Sequence, residues 1–136
     1  GLIQLDRYPS LLARRKEIIG RYDEMCDSLG IKHPVHYGEN HSGSGHLYIT
    51  RIPGIAEDTR NEIITEMAEK GVACNVHYKP LPMMTAYKNL GYDICDFPNA
   101  FDYFRNEITL PLHTKLTDDD VDFIIGTFKE VVKKYI

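Results

Sequence analysis

The pair His77-Tyr78 offers the clearest opportunity for chemistry in this chain. It ends the run Gly71-Val72-Ala73-Cys74-Asn75-Val76-His77-Tyr78, and Lys79-Pro80-Leu81-Pro82 follows. An imidazole beside a phenol can bind a polar ligand or carry a proton. The two prolines stiffen the backbone as it leaves. A scaffold element that passes into a rigid loop is a common place to present ligand-facing side chains. The residues alone leave open a plainer reading, in which both are incidental strand residues.

The other reactive side chains point less clearly to a site. His33, His36, His41 and His46 lie close in sequence, but their spacing is irregular and no cysteine or acid stands at a familiar metal-ligand offset. Ordering a glycine-rich loop around a metal would also cost entropy, so these read as solvated loop histidines. Gly43-Ser44-Gly45 resembles a phosphate cradle only faintly. Such loops open a helix, and this one precedes a strand, so a hairpin tip is expected. Asp118-Asp119-Asp120 needs no cation, because a helix N-terminus accounts for three acids. Cys74 lies three residues from His77, and strand alternation places the two on opposite faces; a buried thiol is expected rather than a nucleophile. Lys79 is the lysine nearest the candidate site and reads as a surface lysine.

The elements that must position these residues follow from periodicity. Leu5 to Leu29 carries an apolar stripe of Tyr8, Leu11, Leu12, Ile18, Ile19, Tyr22, Met25 and Leu29, which predicts a long helix. Pro9 is expected to kink or restart it, and Gly30 to stop it. Ile31 to Gly45 reads as loop. His46 to Ile52 alternates as a strand, with Tyr48, Thr50 and Ile52 on one face. Glu57 to Lys70 predicts a second helix with Ile63, Ile64, Met67 and Ala68 facing inward. Val72 to Tyr78 reads as a second strand. Met83 to Leu90 and Asn99 to Arg105 predict short helices, and Glu107 to Leu110 a third strand. In the last helix Thr117 is the expected N-cap, Asp120 completes a capping box, and Leu116 with Val121 forms a hydrophobic staple.

This order predicts a small α/β (α+β) domain of three to four mainly antiparallel strands with helices packed on one face. At 136 residues it is one domain's worth of chain. A formal net charge of -4 and a pI near 5.8 argue against nucleic-acid or anionic-membrane surfaces. No apolar run reaches the length of a membrane span, and Gly1 to Ser10 has no leader pattern. Three cysteines without CxxC spacing read as reduced thiols, the pattern expected of a cytoplasmic protein. The chain opens on Gly1 rather than Met, which is compatible with a fragment or a trimmed chain and leaves room for a larger parent.

The motifs, taken in order, resemble the last third of the DegT/DnrJ/StrS family, pyridoxal-phosphate-dependent sugar aminotransferases of fold-type I. Gln4-Leu5 with Arg14, Arg15 and Tyr22 resembles that region's opening. His46-Leu47-Tyr48 with Arg51 resembles its first small-domain strand. Gly71-Val72, Val76-His77-Tyr78 and Pro80-Leu81 resemble its histidine-tyrosine segment. Phe97-Pro98-Asn99-Ala100, and Leu110-Pro111-Leu112 with Leu116-Thr117, resemble two later segments. The matches span essentially the whole chain in family order.

The resemblance implies that residues 1–136 are the C-terminal small domain of a longer enzyme. The Schiff-base lysine and most contacts to pyridoxal 5'-phosphate would lie in a large N-terminal domain, so no catalytic residue is carried over. It implies that His77 and Tyr78 bind substrate, that the fragment alone is inactive, and that the partners are its own large domain, a second copy, an amino donor and a sugar nucleotide. Pro82 stands where the family often has histidine, which puts the usual substrate contact there in doubt. The alternative is a self-standing α/β binding, regulatory or dimerisation module. If a partner domain normally covers this one, an apolar face should lie bare on the first helix or along Val72 to Pro82.

Overall fold

The computed structural model describes residues 1–136. Helix α1 spans Leu2–Leu29. Its second half buries Ile18, Ile19, Tyr22, Met25 and Cys26, the i, i+3, i+4 spacing that makes one apolar face. Gly30 ends it in the left-handed conformation at φ 67°, with its N–H returned to Asp27 and the Ile31 N–H to Cys26. Pro9 does not break the helix. It removes only the bond to the Leu5 carbonyl, and Leu5 is exposed, so water can take that carbonyl.

The expected loop after α1 contains a small hairpin, β1 (Tyr37–Gly38) on β2 (His41–Ser42). Strand β3 is Tyr48–Arg51, shorter than expected, with Tyr48, Thr50 and the following Ile52 buried as alternation requires. Helix α2 is Glu57–Glu69. Ile63 and Met67 face the core, while Ala68 is exposed and Arg60 takes an unexpected buried position. A 3₁₀ turn at Leu81–Met83, α3 (Thr85–Lys88), a second 3₁₀ turn at Ile94–Asp96 and α4 (Pro98–Arg105) lead into β4 (Glu107–Leu110). Helix α5 is Asp118–Val132.

Strands β3 and β4 pair antiparallel, Tyr48 opposite Leu110 and Arg51 opposite Glu107. Single antiparallel bridges widen the sheet on both edges, Lys32 to Arg51 and Asn75 to Thr109. The strip is therefore four segments across, although only its middle two are full strands. The expected strand over Val72 to Tyr78 does not form beyond the Asn75 bridge.

Helix α5 starts as its sequence requires. The Thr117 hydroxyl accepts from the Asp120 N–H at 3.1 Å, and the Asp120 carboxylate accepts from the Thr117 N–H at 2.8 Å. It packs on both α1 and α2 and buries Val121, Ile124, Phe128, Val131 and Val132. Each such side chain contributes about 1.5–3 kcal/mol as an upper estimate. Arg14 of α1 latches the same end, donating to the Leu116 carbonyl at 2.7 Å and to Asp118 at 2.8 Å.

Candidate functional site

The route to His77 begins at Gly71, whose φ of 87° turns the chain out of α2. The Val72 N–H returns to the Met67 carbonyl, and the buried Val72 side chain anchors the segment. Asn75 and Thr109 then exchange two backbone hydrogen bonds, at 3.1 and 2.8 Å. The Val76 N–H goes to the Asn75 side chain at 2.8 Å, and the His77 N–H to the Glu107 carboxylate at 2.9 Å. Each N–H from 75 to 77 thus has an acceptor, which holds this irregular backbone in place.

His77 is half-buried, and Tyr78 is 70 % exposed. Their rings meet edge to face, centroids 4.6 Å apart at 84°, an arrangement that favours aromatic contact. The His77 Nδ1 is enclosed and has no protein partner. A pocket of about 190 Å³ opens beside the imidazole, lined by His46, Leu47, Asn75, His77, Thr109 and Leu112 among others. The fold thus brings His46 to the same pocket as His77. His46 is exposed and lies outside β3, as a solvated loop histidine should; spacing does not show that the sheet carries it beside residue 77.

Glu107 is the other residue that spacing missed. It is fully buried, its Oε2 takes the His77 N–H, and its Oε1 accepts from the Thr109 hydroxyl. Burial pushes its carboxyl above the ordinary range, and the bonds from Thr109 and His77 oppose that rise. The signal was an acid in the otherwise apolar or β-branched run Glu107–Leu110. Nearby Arg60 is also buried. It donates to the Phe104 carbonyl at 3.2 Å and lies over the Phe104 ring.

The remaining candidates take structural places. His33 lies between Asp23 and Asp27, at 3.0 and 3.1 Å. His41 bonds the Val35 carbonyl and closes the hairpin. No three His, Cys, Asp or Glu side chains converge as a metal centre would need. Gly43 donates to the His36 carbonyl and Ser44 accepts from Arg15, which spends that loop's backbone on hairpin and helix. Asp118 pairs with Arg14. Burial raises the Cys74 thiol to about 12 and Cys26 to about 11, so neither is a ready nucleophile at neutral pH. No lysine is buried, so the chain offers none of the desolvated amines that hold an imine-linked cofactor. The residues present do not fit a covalently bound pyridoxal phosphate.

A concavity of about 760 Å³ lies away from this site, between α2 and the C-terminal end. It is lined by Glu66, Glu69, Lys70, Lys134 and other polar residues with no apolar one, and ion pairs such as Lys70 with Glu130 flank it. It has the character of a solvated charged groove.

Two apolar surfaces lie bare. Leu2, Ile3 and Leu5 project from the first turns of α1, Leu2 at 80 % exposure. Tyr78, Leu81, Leu90, Tyr92 and Phe97 are exposed along the excursion between Asn75 and α4. The uncovered part of α1 is its first turns rather than the whole stripe.

The sequence matches the DegT/DnrJ/EryC1/StrS aminotransferase family over residues 1–129. The spore coat polysaccharide biosynthesis protein SpsC of Bacillus subtilis is 36% identical over 98% of this chain and 35% of its own length. The dTDP-4-dehydro-2,3,6-trideoxy-D-glucose 4-aminotransferase of Saccharopolyspora spinosa is 28% identical over 100% of this chain and 34% of its own. A solved Streptococcus pneumoniae protein described as a sugar aminotransferase, in its PLP form, superposes with a TM-score of 0.95 at 57% identity, covering 100% of this chain and 35% of that one. The chain spans about a third of the length of the curated relatives it matches.

Proposed function

Because the chain belongs to the DegT/DnrJ/EryC1/StrS aminotransferase family, we propose that it is the C-terminal small domain of a PLP-dependent aminotransferase that acts on a nucleotide-linked keto-sugar. In that reading it closes the active-site cleft over a cofactor held by residues outside this chain. His77 and Tyr78 supply substrate contacts, and the bare apolar surfaces on α1 and between Tyr78 and Phe97 meet the large domain or a second copy in a cytoplasmic homodimer. The carrying observation is Tyr78. Its phenol is exposed while the N–H groups of residues 75 to 77 behind it are all bonded and its ring is braced against His77. A rigid base under an exposed polar aromatic is how a scaffold presents a contact. The S. spinosa relative is named for a dTDP-linked keto-sugar, which supports that substrate class.

Pyridoxal phosphate, where bound, supplies the electron sink for amino transfer. The residues of this chain bind and orient the sugar and exclude water beside it. The isolated chain therefore has no transaminase activity and forms no specific borohydride-trappable adduct with pyridoxal phosphate. One stoichiometric adduct at a single lysine overturns that part. For the site, His77→Ala and Tyr78→Phe in the full-length enzyme are expected to raise KM for the keto-sugar by about tenfold each, the equivalent of one lost hydrogen bond. The half-reaction with the amino donor stays near wild type. If neither substitution changes sugar affinity or turnover, the contacts are wrongly assigned.

A further inference from the structure

The backbone beyond Asn75 departs from the sheet at a place where pairing should continue. Asn75 faces Thr109, so the next rung of an antiparallel ladder would set His77 opposite Glu107, with the His77 N–H on the Glu107 carbonyl. That carbonyl is instead approached by the Arg60 guanidinium at 3.5 Å, and the His77 N–H lies 2.9 Å from the Glu107 carboxylate. A glutamate side chain reaches farther than a main-chain carbonyl. The substitution of one acceptor for the other holds residues 76–78 off the sheet edge and turns Tyr78 outward. Both carboxylate oxygens are engaged, one by His77 and one by the Thr109 hydroxyl, and the side chain is fully buried. Leaving this rotamer would break both bonds inside the protein.

We propose that Glu107 is a positioning residue for substrate binding: its buried carboxylate takes the place of a ladder rung and so sets where His77 and Tyr78 stand. This rests on the reading of those two side chains as sugar contacts. Glu107 touches no substrate itself. An apolar residue at 107 would let the His77 N–H seek the main-chain carbonyl, extend the edge strand through residue 77, and draw Tyr78 back toward the sheet.

The test is made in the full-length enzyme with its cofactor bound, by measuring KM for the keto-sugar and the rate of the amino-donor half-reaction separately. Glu107→Ala is expected to raise the sugar KM about 5- to 10-fold with the donor half-reaction unchanged. Glu107→Gln, whose amide oxygen still accepts from His77, is expected to stay within about twofold of wild type. In a background carrying both His77→Ala and Tyr78→Phe, Glu107→Ala should add little further to the sugar KM, because both contacts it places are already removed. Where Glu107→Ala does not accumulate folded, Glu107→Asp carries the same test, since it withdraws the carboxylate by one methylene and should also raise the sugar KM. A sugar KM unmoved by Glu107→Ala or Glu107→Asp while Tyr78→Phe raises it overturns the positioning role and leaves the site standing. Full additivity with the combined His77→Ala and Tyr78→Phe changes overturns it as well. A sugar KM unmoved by His77→Ala and Tyr78→Phe sinks the site and the positioning role together.

Discussion

The Tyr22 hydroxyl donates to the Pro111 carbonyl at 2.9 Å, across 89 positions of sequence. Tyr22 is fully buried in the second half of α1, and its ring lies 4.9 Å from that of Tyr48 on β3. Pro111 is the residue at which the chain leaves β4. The one contact therefore fixes α1 against the exit of the strand that also carries Thr109 and Glu107. Tyr48 adds a second tie to the same helix through Asp23 at 2.7 Å.

Tyr22→Phe is expected to destabilise the chain by about 1–2 kcal/mol, because it keeps the ring and removes only the donor to a half-buried carbonyl. Urea unfolding reads the change as a lower midpoint at unchanged slope. An unchanged midpoint would mean that water replaces the hydroxyl at Pro111.

Thr117→Ala removes the N-cap of α5 and is expected to cost about 1 kcal/mol. Asp120 makes the same cap sensitive to pH. The Thr117 N–H holds its carboxyl below the ordinary 3.8, so its stabilisation is present above that value and is lost as pH falls through the folded-state value. Asp120→Asn should therefore lower the melting temperature at neutral pH, with the gap to wild type closing in acid below 3.8. A gap that stays constant down to acid pH removes the carboxylate from the cap.

Where sequence was legible, the cause of the structure was local. Thr117 and Asp120 meet within a single turn of helix, and Gly30 ends α1 by its own conformation. Tyr48, Thr50 and Ile52 are buried because strand alternation needs no distant partner. The strand expected over Val72 to Tyr78 was not legible as a departure, because the residue that unpairs it, Glu107, lies 30 positions away. His46 is exposed and outside β3, as expected of a solvated loop histidine; its place beside His77 at one pocket was not legible, because only the register of the sheet joins them. Pro9 was over-weighted. A proline inside a helix costs most where the freed carbonyl is buried, and here the helix is exposed at that turn.

The thiols separate by burial. Cys26 and Cys74 are held near 11 and 12 by desolvation, whereas Cys95 is exposed. The Asp93 carboxylate beside Cys95 also raises its value, so alkylation there is slow but unobstructed. Iodoacetamide at pH 8 should label Cys95 alone in the native chain, and all three once urea is added. Early labelling of Cys74 by peptide mass analysis would show that the segment before His77 opens in solution.

Glu107 should cost stability at neutral pH while serving the site. Its folded-state value lies above the ordinary 4.5, so the fold binds that proton more tightly than the unfolded chain does. Its stability contribution is complete below the unfolded value and is lost as pH rises through the folded one. Glu107→Gln carries no charge to desolvate and keeps an oxygen for the His77 N–H. Its melting temperature is expected to equal or exceed that of wild type at pH 7, with the two converging in acid below 4.5. Glu107→Ala, which also opens a cavity and strands the Thr109 hydroxyl, should melt lower at every pH. Melting scans from pH 4 to 8 on the three proteins decide it. A Glu107→Gln protein less stable than wild type at pH 7 would mean that the bonds from His77 and Thr109 outweigh desolvation, and that the charged carboxylate is held for the fold rather than for the placement of Tyr78.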